Sequence, residues 1–432
     1  MRRKIITVAA IAAAALLALS GCSASGSSNS SNGKAVTIDV LSNFTPDVAR
    51  GKVLDKLIAQ FNKAHKGEYT VVSKSQPDWP TLQTQIRNDI SAGSTPDVFL
   101  YNYNPTDLSR EKSGQLMDWT KYLDADTTWK KRYPASALKQ LTIGGKVVAL
   151  PGDQSPALFY YNTALFKAAG ISSFPTTWTQ YFADAQKLEK SGNSTISLMT
   201  TDDAWYTMNA FSYLALSAGG EDAFAVGKNL DNSSIVSAAT QLKKLFAVAS
   251  KDALGGNYAA ASADFLAGRS ATVIDGPWLI SSIQSQMKDS SAVKVAAAPT
   301  NGNGKLKAGS IVTDSLNAWG AAKQSDPNKT KAVVAWMKFF ESNSSAADMA
   351  TAGQYPMSID TTLSASAKSQ TSPQMAQVLS INNAAPTATV NIERNLTTSA
   401  QSQLPAMLES LILGQTTPQQ FASALQTANS SK

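Results

Sequence analysis

One cysteine, Cys22, and one histidine, His65, are all that the 432-residue chain carries of either type. A disulfide within the chain is therefore impossible, and so is a zinc site built from Cys and His. Charge is scarce as well. Asp, Glu, Lys and Arg make up 16% of the chain against 43% hydrophobic residues, and Arg2, Arg3 and Lys4 supply part of the formal charge of +7. What is left is too small and too scattered for a nucleic-acid surface. No P-loop, dinucleotide G-x-G-x-x-G, zinc motif or calcium loop occurs, so no cofactor and no metal are expected. With one histidine, hydrolysis would fall to a pair of carboxylates. Asp and Glu are scattered, however, and no pair sits in glycosidase-like wording. His65, beside Lys66-Gly67 at a helix end, reads as a solvated cap. Catalysis is therefore not expected.

What is present begins with an export leader over residues 1–21. Basic Arg2-Arg3-Lys4 precede an apolar run from 5 to 19 and a small-residue exit at Ser20-Gly21. The run is short for a membrane span, which needs ~20 residues. No polar spacer separates Arg2-Arg3 from the run, which favours the general secretory route over the twin-arginine one. Residues 22–35 form a tether of Ser, Gly and Asn with little to bury.

The body is too long for one ordinary core, so two lobes are expected. Strand signals at 36–41, 69–72 and 98–101 alternate with helical patterns around Val53 to Phe61 and Leu82 to Ile90. This is the grammar of a mostly parallel α/β sheet. Its C-terminal edge, where ligand crevices form in open α/β sheets, carries Asn43-Phe44, Asp78-Trp79 and Tyr101-Asn102. A hairpin at 144–151 returns toward the sheet. Helical patterns at 178–188, 205–216, 235–248 and 259–267, with strands at 196–199 and 271–274, make a second lobe. A proline opens a further helix at Asp326-Pro327. The helices at 375–381, 396–413 and 418–428 are expected to pack back on the second lobe.

The most telling stretch is 265–280, FLAGRSATVIDGPWLI. Ala271-Thr272-Val273-Ile274 reads as a buried strand, and Asp275-Gly276-Pro277 stops it. Pro277 suits the first turn of a helix. Trp278 thus stands at the strand's C-terminal end. For one isolated tryptophan, core packing is the ordinary alternative.

The pattern F-x-x-G-x-x-A-x-x-x-D-G-P-W resembles the signature of the sugar-binding proteins of bacterial ABC importers, the extracellular solute-binding proteins of family 1, which include maltose-binding protein. Gly93 to Val98 resembles the family's G-x-x-P-D-[VI] element. Gly145 to Pro151 resembles G-K-x-Y-x-L-P, with Val148 where tyrosine or tryptophan is usual. Leu19-Ser20-Gly21-Cys22 resembles a lipobox, in which Cys22 would be lipidated; an ordinary leader with a chance cysteine is the alternative. The resemblance implies a two-lobed periplasmic-binding-protein-like fold of class II type, each lobe a mostly parallel sheet flanked by helices, with the ligand cleft between them. Residues 36–152 with 314–355 would form the N-terminal lobe, and 153–313 with 356–432 the C-terminal lobe.

By the same resemblance Trp278 stacks on a sugar ring, and Trp205, Tyr206 and Asn209 occupy the region of another sugar-facing aromatic, core packing being the alternative for each. Asp153 and Gln154 would lie at the mouth of the cleft, and Asp314 and Gln354 on the later crossings. Rings suit the apolar C–H faces of a sugar, and Asp, Asn and Gln suit its hydroxyls. The implied partners are a carbohydrate, most simply an oligosaccharide, and the permease subunits of an importer. The implied place is the outer face of the cell membrane, lipid-anchored, in a Gram-positive bacterium, as a monomer. Glycerol phosphate or a polyamine in the same fold, and a secreted carbohydrate-active enzyme, are the alternatives. Phosphate would ask for convergent Arg or Lys, and the candidate loops hold neither.

Overall fold

The computed structural model describes residues 35–103, 113–153, 155–313 and 317–431. The leader and Cys22, the tether as far as residue 34, and the candidate site residues Gln154 and Asp314 lie outside the described residues.

The chain opens with β1 (Val36–Ser42), β2 (Tyr69–Ser75) and β3 (Val98–Asn102), linked by the helices Ala49–Ala64 and Trp79–Ala92. β1 pairs in parallel with both of the others. In the first helix Val53, Leu54, Leu57, Ile58 and Phe61 repeat at helical spacing and bury one stripe against the sheet. In the second, Leu82, Ile86 and Ile90 do so from the opposite face. Asp78 caps this helix by accepting from Thr81 N at 2.8 Å, and Gly93 ends it in the left-handed conformation that glycine tolerates best. Alternation along β3 then sends Val98 and Leu100 into one core and Phe99 and Tyr101 into the other.

A hairpin of β4 (Thr142–Ile143) and β5 (Lys146–Val147) turns through Gly144 and Gly145, both at positive φ, as a two-residue hairpin turn requires. It leads to β6 (Ala149–Pro151). Beyond it the chain enters a second sheet through β7 (Pro156–Asn162), β8 (Ser194–Ser197), β9 (Ser270–Asp275), β10 (Val293–Ala296) and β11 (Ile311–Thr313). It returns to the first sheet as β12 (Asn317–Ala321) and later supplies β13 (Ala388–Val390) to the second. The first sheet runs β2-β1-β3-β12-β6; the second runs β13-β11-β7-β9-β8, with β10 also paired to β7. Each has its own core. Trp319, Trp336 and Phe340 join the first, while the second surrounds the helix Trp205–Gly219, in which every residue from Tyr206 to Ser217 is buried.

The first passage between sheets, after β6, is laced to its neighbours. Gly152 N donates to Asn317 O at 2.8 Å, Ser358 N donates to Gly152 O at 3.0 Å, and Asp153 forms a bridge with Met357. A Cβ on Gly152 would stand 2.7 Å from Asn317 O and 3.0 Å from Tyr355 Oη, so glycine is demanded by closeness rather than by φ. The second passage lies between β11 and β12. The third is later than the expected boundary at 356. Tyr355, Met357 and Ile359 are buried in the first core, Asp360 N donates to Arg132 O at 2.8 Å, and Thr362 N donates to Asn343 Oδ1 at 2.8 Å. Only with Met375 and Val378 of the helix Pro373–Ala384 does the chain join the second core. The Tyr355-Pro356 turn reads as a crossing, but the Asp153–Met357 bridge turns the chain back.

Candidate functional site

β9 ends in Asp275, and the groups that meet there come from four elements. The carboxylate is fully buried. It accepts from Tyr206 Oη at 2.5 Å, from Tyr258 Oη at 3.2 Å and from Gly276 N at 2.7 Å. Tyr160 of β7 donates to the adjoining Gly276 O at 3.1 Å. Burial outweighs these donors and lifts the Asp275 carboxyl to about 7. Burial, followed by the charge of Asp275, holds the Tyr160, Tyr206 and Tyr258 phenols well above their ordinary range.

Beside this cluster stand two half-exposed indoles, Trp205 and Trp278, with ring centres 5.4 Å apart and planes inclined at 53°, and Trp205 lies 5.9 Å from the Tyr206 ring. The sequence builds their pose locally. A Cβ on Gly276 would fall 2.3 Å from two atoms of the Trp278 six-membered ring, so the indole lies directly on the glycine backbone. Trp278 then stands at the residue before the helix Leu279–Gln286, with no capping bond from its side chain. Trp205 follows a strained turn in which Asp202 and Ala204 both have φ of 51°. That turn is tied down where Asp202 Oδ2 accepts from Tyr258 N at 3.0 Å.

The first sheet presents amides at its edge. Asn102 and Asn317 are register partners across β3 and β12, and Asn43 follows the end of β1. The side-chain oxygens of all three are buried without a hydrogen-bond partner. Gln354 shares this feature at Oε1, while its amide nitrogen donates at 3.3 Å to Gln284 Oε1 on the second-lobe helix. Gln354 also holds a φ of 54°, costly for a residue with a side chain. Unpaired buried acceptors cost ~1–3 kcal/mol each until something donates to them.

Several expected residues lie elsewhere. Tyr101 is buried against the helix Trp79–Ala92, edge-on to Tyr103 at 5.4 Å, because its place in the alternation points it away from the edge. Phe44 is buried in the first core. Asp78 is exposed and occupied as a helix cap, and Trp79 packs half-buried on the first lobe's cores. Asn209 is buried in its helix and donates to Trp205 O at 2.8 Å. Tyr206 holds Asp275 rather than offering a face. Asp153, by contrast, stays with the candidate site, buried on the first passage within electrostatic reach of Arg50.

Sequence reasoning missed Asp275 as a site group, Tyr258 and Arg50. The expected lack of Arg and Lys concerned the candidate loops; Arg50, in the helix after β1, is within electrostatic reach of Asp153, Tyr355, Tyr258 and Asp275. The helix after a parallel strand starts at that strand's C-terminal edge, so its first turn belongs to the crevice as much as the loop does. Asp275 was legible in D-G-P-W itself; Tyr258 and Arg50 carry no motif. A shallow groove outside the first lobe, lined by Lys121, Tyr122, Pro327, Lys331, Val334 and Lys338, has only exposed or half-exposed side chains. Among the described residues no three His, Cys, Asp or Glu side chains gather as a metal site, and no helix is long and apolar enough to cross a membrane.

The fold is shared with solved proteins. A chitin oligosaccharide binding protein superposes with a TM-score of 0.79 at 20% identity, covering 92% of this chain and 98% of that one. The maltose-bound MalE3 of T. maritima gives 0.73 at 18%, covering 91% and 98%. At such identity the likeness is one of fold, and the fold is the two-lobed one. In sequence, a maltodextrin-binding protein of Bacillus subtilis is 27% identical over 208 residues, 44% of this chain and 45% of the relative. The first curated relatives are matched over about a quarter of their length, 27%. Residues 45–347, well over half of the sequence, match the bacterial extracellular solute-binding proteins, and the chain belongs to that family.

Proposed function

We propose that the chain binds a carbohydrate outside the cell, an oligosaccharide above all, and delivers it to the permease of an ABC importer without altering it. The observation that carries this reading is the pair of half-exposed indoles, inclined to each other beside the Asp275 cluster, together with first-lobe amide oxygens that lack donors. Indoles take the C–H faces of sugar rings, and the carboxyl and amides take the hydroxyls. The relatives named for chitin oligosaccharide, maltose and maltodextrin support the same ligand class. Glycerol phosphate fits less well, since Arg50 shares the cleft with the carboxyls of Asp153 and Asp275.

The site residues of this reading are Trp205, Trp278, Asp275, Tyr258, Asn43, Asn102, Gln354 and Asp153, with Gln154 and Asp314 as neighbours on the crossings. Cys22 carries the lipid that holds a monomer at the outer face of the membrane by the tether. Substituting Cys22→Ala is expected to release the protein from membranes with ligand binding unchanged.

The decisive experiment is a calorimetric and glycan-array screen of the purified protein, with the recovered sugar analysed afterwards. Saturable binding with the sugar intact is the expected result. A cleaved sugar would make the protein an enzyme, and binding of a phosphate ester or polyamine in preference to every glycan would replace the ligand class.

A further inference from the structure

Arg50 is the second residue of the helix Ala49–Ala64, and its place there is fixed. A Cβ on the next residue, Gly51, would stand 1.8 Å from Thr45 O, so this first turn is seated on the loop after β1 and cannot back away. The guanidinium lies 5.0 Å from the centre of the Phe44 ring. That ring is itself held edge-on by Trp319 at 5.8 Å and Tyr355 at 4.9 Å. The Arg50 Nε is buried and has no hydrogen-bond partner. The groups within reach of its charge are Asp153 on the first passage, Tyr355 of the first core, and Tyr258 and Asp275 of the second lobe. A cation seated on Phe44 in the first lobe is thus within electrostatic reach of the carboxyl that ends β9 in the other.

We infer that Arg50 is the first lobe's ligand-contacting arm, its buried Nε–H completed by a hydroxyl of a neutral sugar seated between it and the Asp275–Tyr258 pair, and that this arrangement selects neutral sugars over uronates. The inference rests on the carbohydrate reading above. Among the described residues, Arg50 is a cation within electrostatic reach of two carboxyls, Asp153 and Asp275, while Tyr206 and Tyr258 stay neutral phenols. A uronate would bring a third acid into the same desolvated space, and an amino sugar would bring an ammonium beside the guanidinium. A hydroxyl can accept from Nε–H and donate to a carboxyl at once, adding no charge to the site. A charged hydrogen bond completed only by the ligand belongs to affinity and not to stability. Removing Arg50 takes a half-buried cation and its buried, unpartnered Nε–H out of the ligand-free protein and weakens the complex.

The test compares wild type, Arg50→Met and Arg50→Lys by calorimetry against maltotriose, xylotriose, chitotriose, cellotriose and trigalacturonate, with ligand-free melting measured on each preparation. Wild type is expected to bind at least one neutral trisaccharide about tenfold or more tighter than trigalacturonate. Arg50→Met should bind that sugar at least about tenfold more weakly while melting no lower than wild type, and Arg50→Lys, which keeps the charge but not the Nε–H, should fall between. Equal affinity of Arg50→Met and wild type would overturn the role of Arg50 alone. Preferential binding of trigalacturonate would overturn the selectivity. An Arg50→Met variant that melts far lower yet binds normally would make Arg50 structural. A wild type that binds none of the five would remove the carbohydrate reading itself along with the inference.

Discussion

Trp278 owes its pose to the residue two before it. Its indole rests on the Gly276 backbone, where a Cβ would lie 2.3 Å from the ring, so Gly276→Ala is expected to displace the indole and weaken sugar binding with the ring still present. Trp278→Ala removes the platform altogether, at a cost of ~2 kcal/mol or more, about thirtyfold in affinity, and Trp278→Phe should retain part of it. The ring is half-exposed, so the ligand-free melting temperature should move little. A core tryptophan truncated to alanine would instead destabilise by ~3–5 kcal/mol. Calorimetry and melting on one preparation of each variant separate the two roles, and a low-melting Trp278→Ala that binds sugar normally would make the residue structural.

The junctions between elements contain carboxyls that resist ionisation. Glu341 closes the helix Pro327–Phe340, where its buried carboxyl accepts from Trp129 Nε1 at 2.7 Å and from Tyr133 Oη, and its carbonyl accepts from Arg132. Burial still lifts it to about 7, as it does Asp275 at the end of β9. Both folded values lie above those of the unfolded chain, so folding favours the protonated forms. The stability they contribute is complete below the ordinary carboxyl range and is lost as pH rises toward about 7. The melting temperature is therefore expected to fall between pH 5 and pH 8, and Glu341→Gln should flatten part of that fall. Calorimetric scans across the range check this, and a temperature equal at both ends for wild type would contradict it. The elements themselves were largely legible in the sequence. The β1 to β3 alternation, the double-glycine hairpin, the Asp326 cap and the D-G-P-W turn each depend on local spacing or backbone freedom. What escaped depends on which face a neighbour covers. Tyr101 and Asn102 look equivalent at a strand end, yet the helix Trp79–Ala92 takes the side of Tyr101 and leaves Asn102 at the edge. Arg50 and Tyr258 begin amphipathic helices with nothing in their spacing to mark them, and only the meeting of two lobes gives them a shared neighbour.

Two separately packed cores joined by short passages can move as bodies, provided the passages bend without losing their hydrogen bonds. The lacing of Gly152 to Asn317 and Ser358 stiffens the first passage. The lobes also touch through polar groups such as Gln354 and Gln284, whose 3.3 Å contact a small rotation would break at little cost. On the proposed reading, a sugar held by Trp278 and Asp275 on one side and by Asn102 and Arg50 on the other would make its full set of contacts only with the lobes together. It would then bind the closed form more tightly, and that difference in affinity is the whole of what can shift the equilibrium. Small-angle scattering with a saturating neutral oligosaccharide is expected to give a smaller radius of gyration than the ligand-free protein. Asp275→Asn keeps the shape of the second-lobe cluster but alters its hydrogen bonding to ligand, so it should need more sugar to reach the same compact state. A radius unchanged by sugar, with binding confirmed calorimetrically in the same sample, would mean that the ligand is held by one lobe alone and that closure plays no part in recognition.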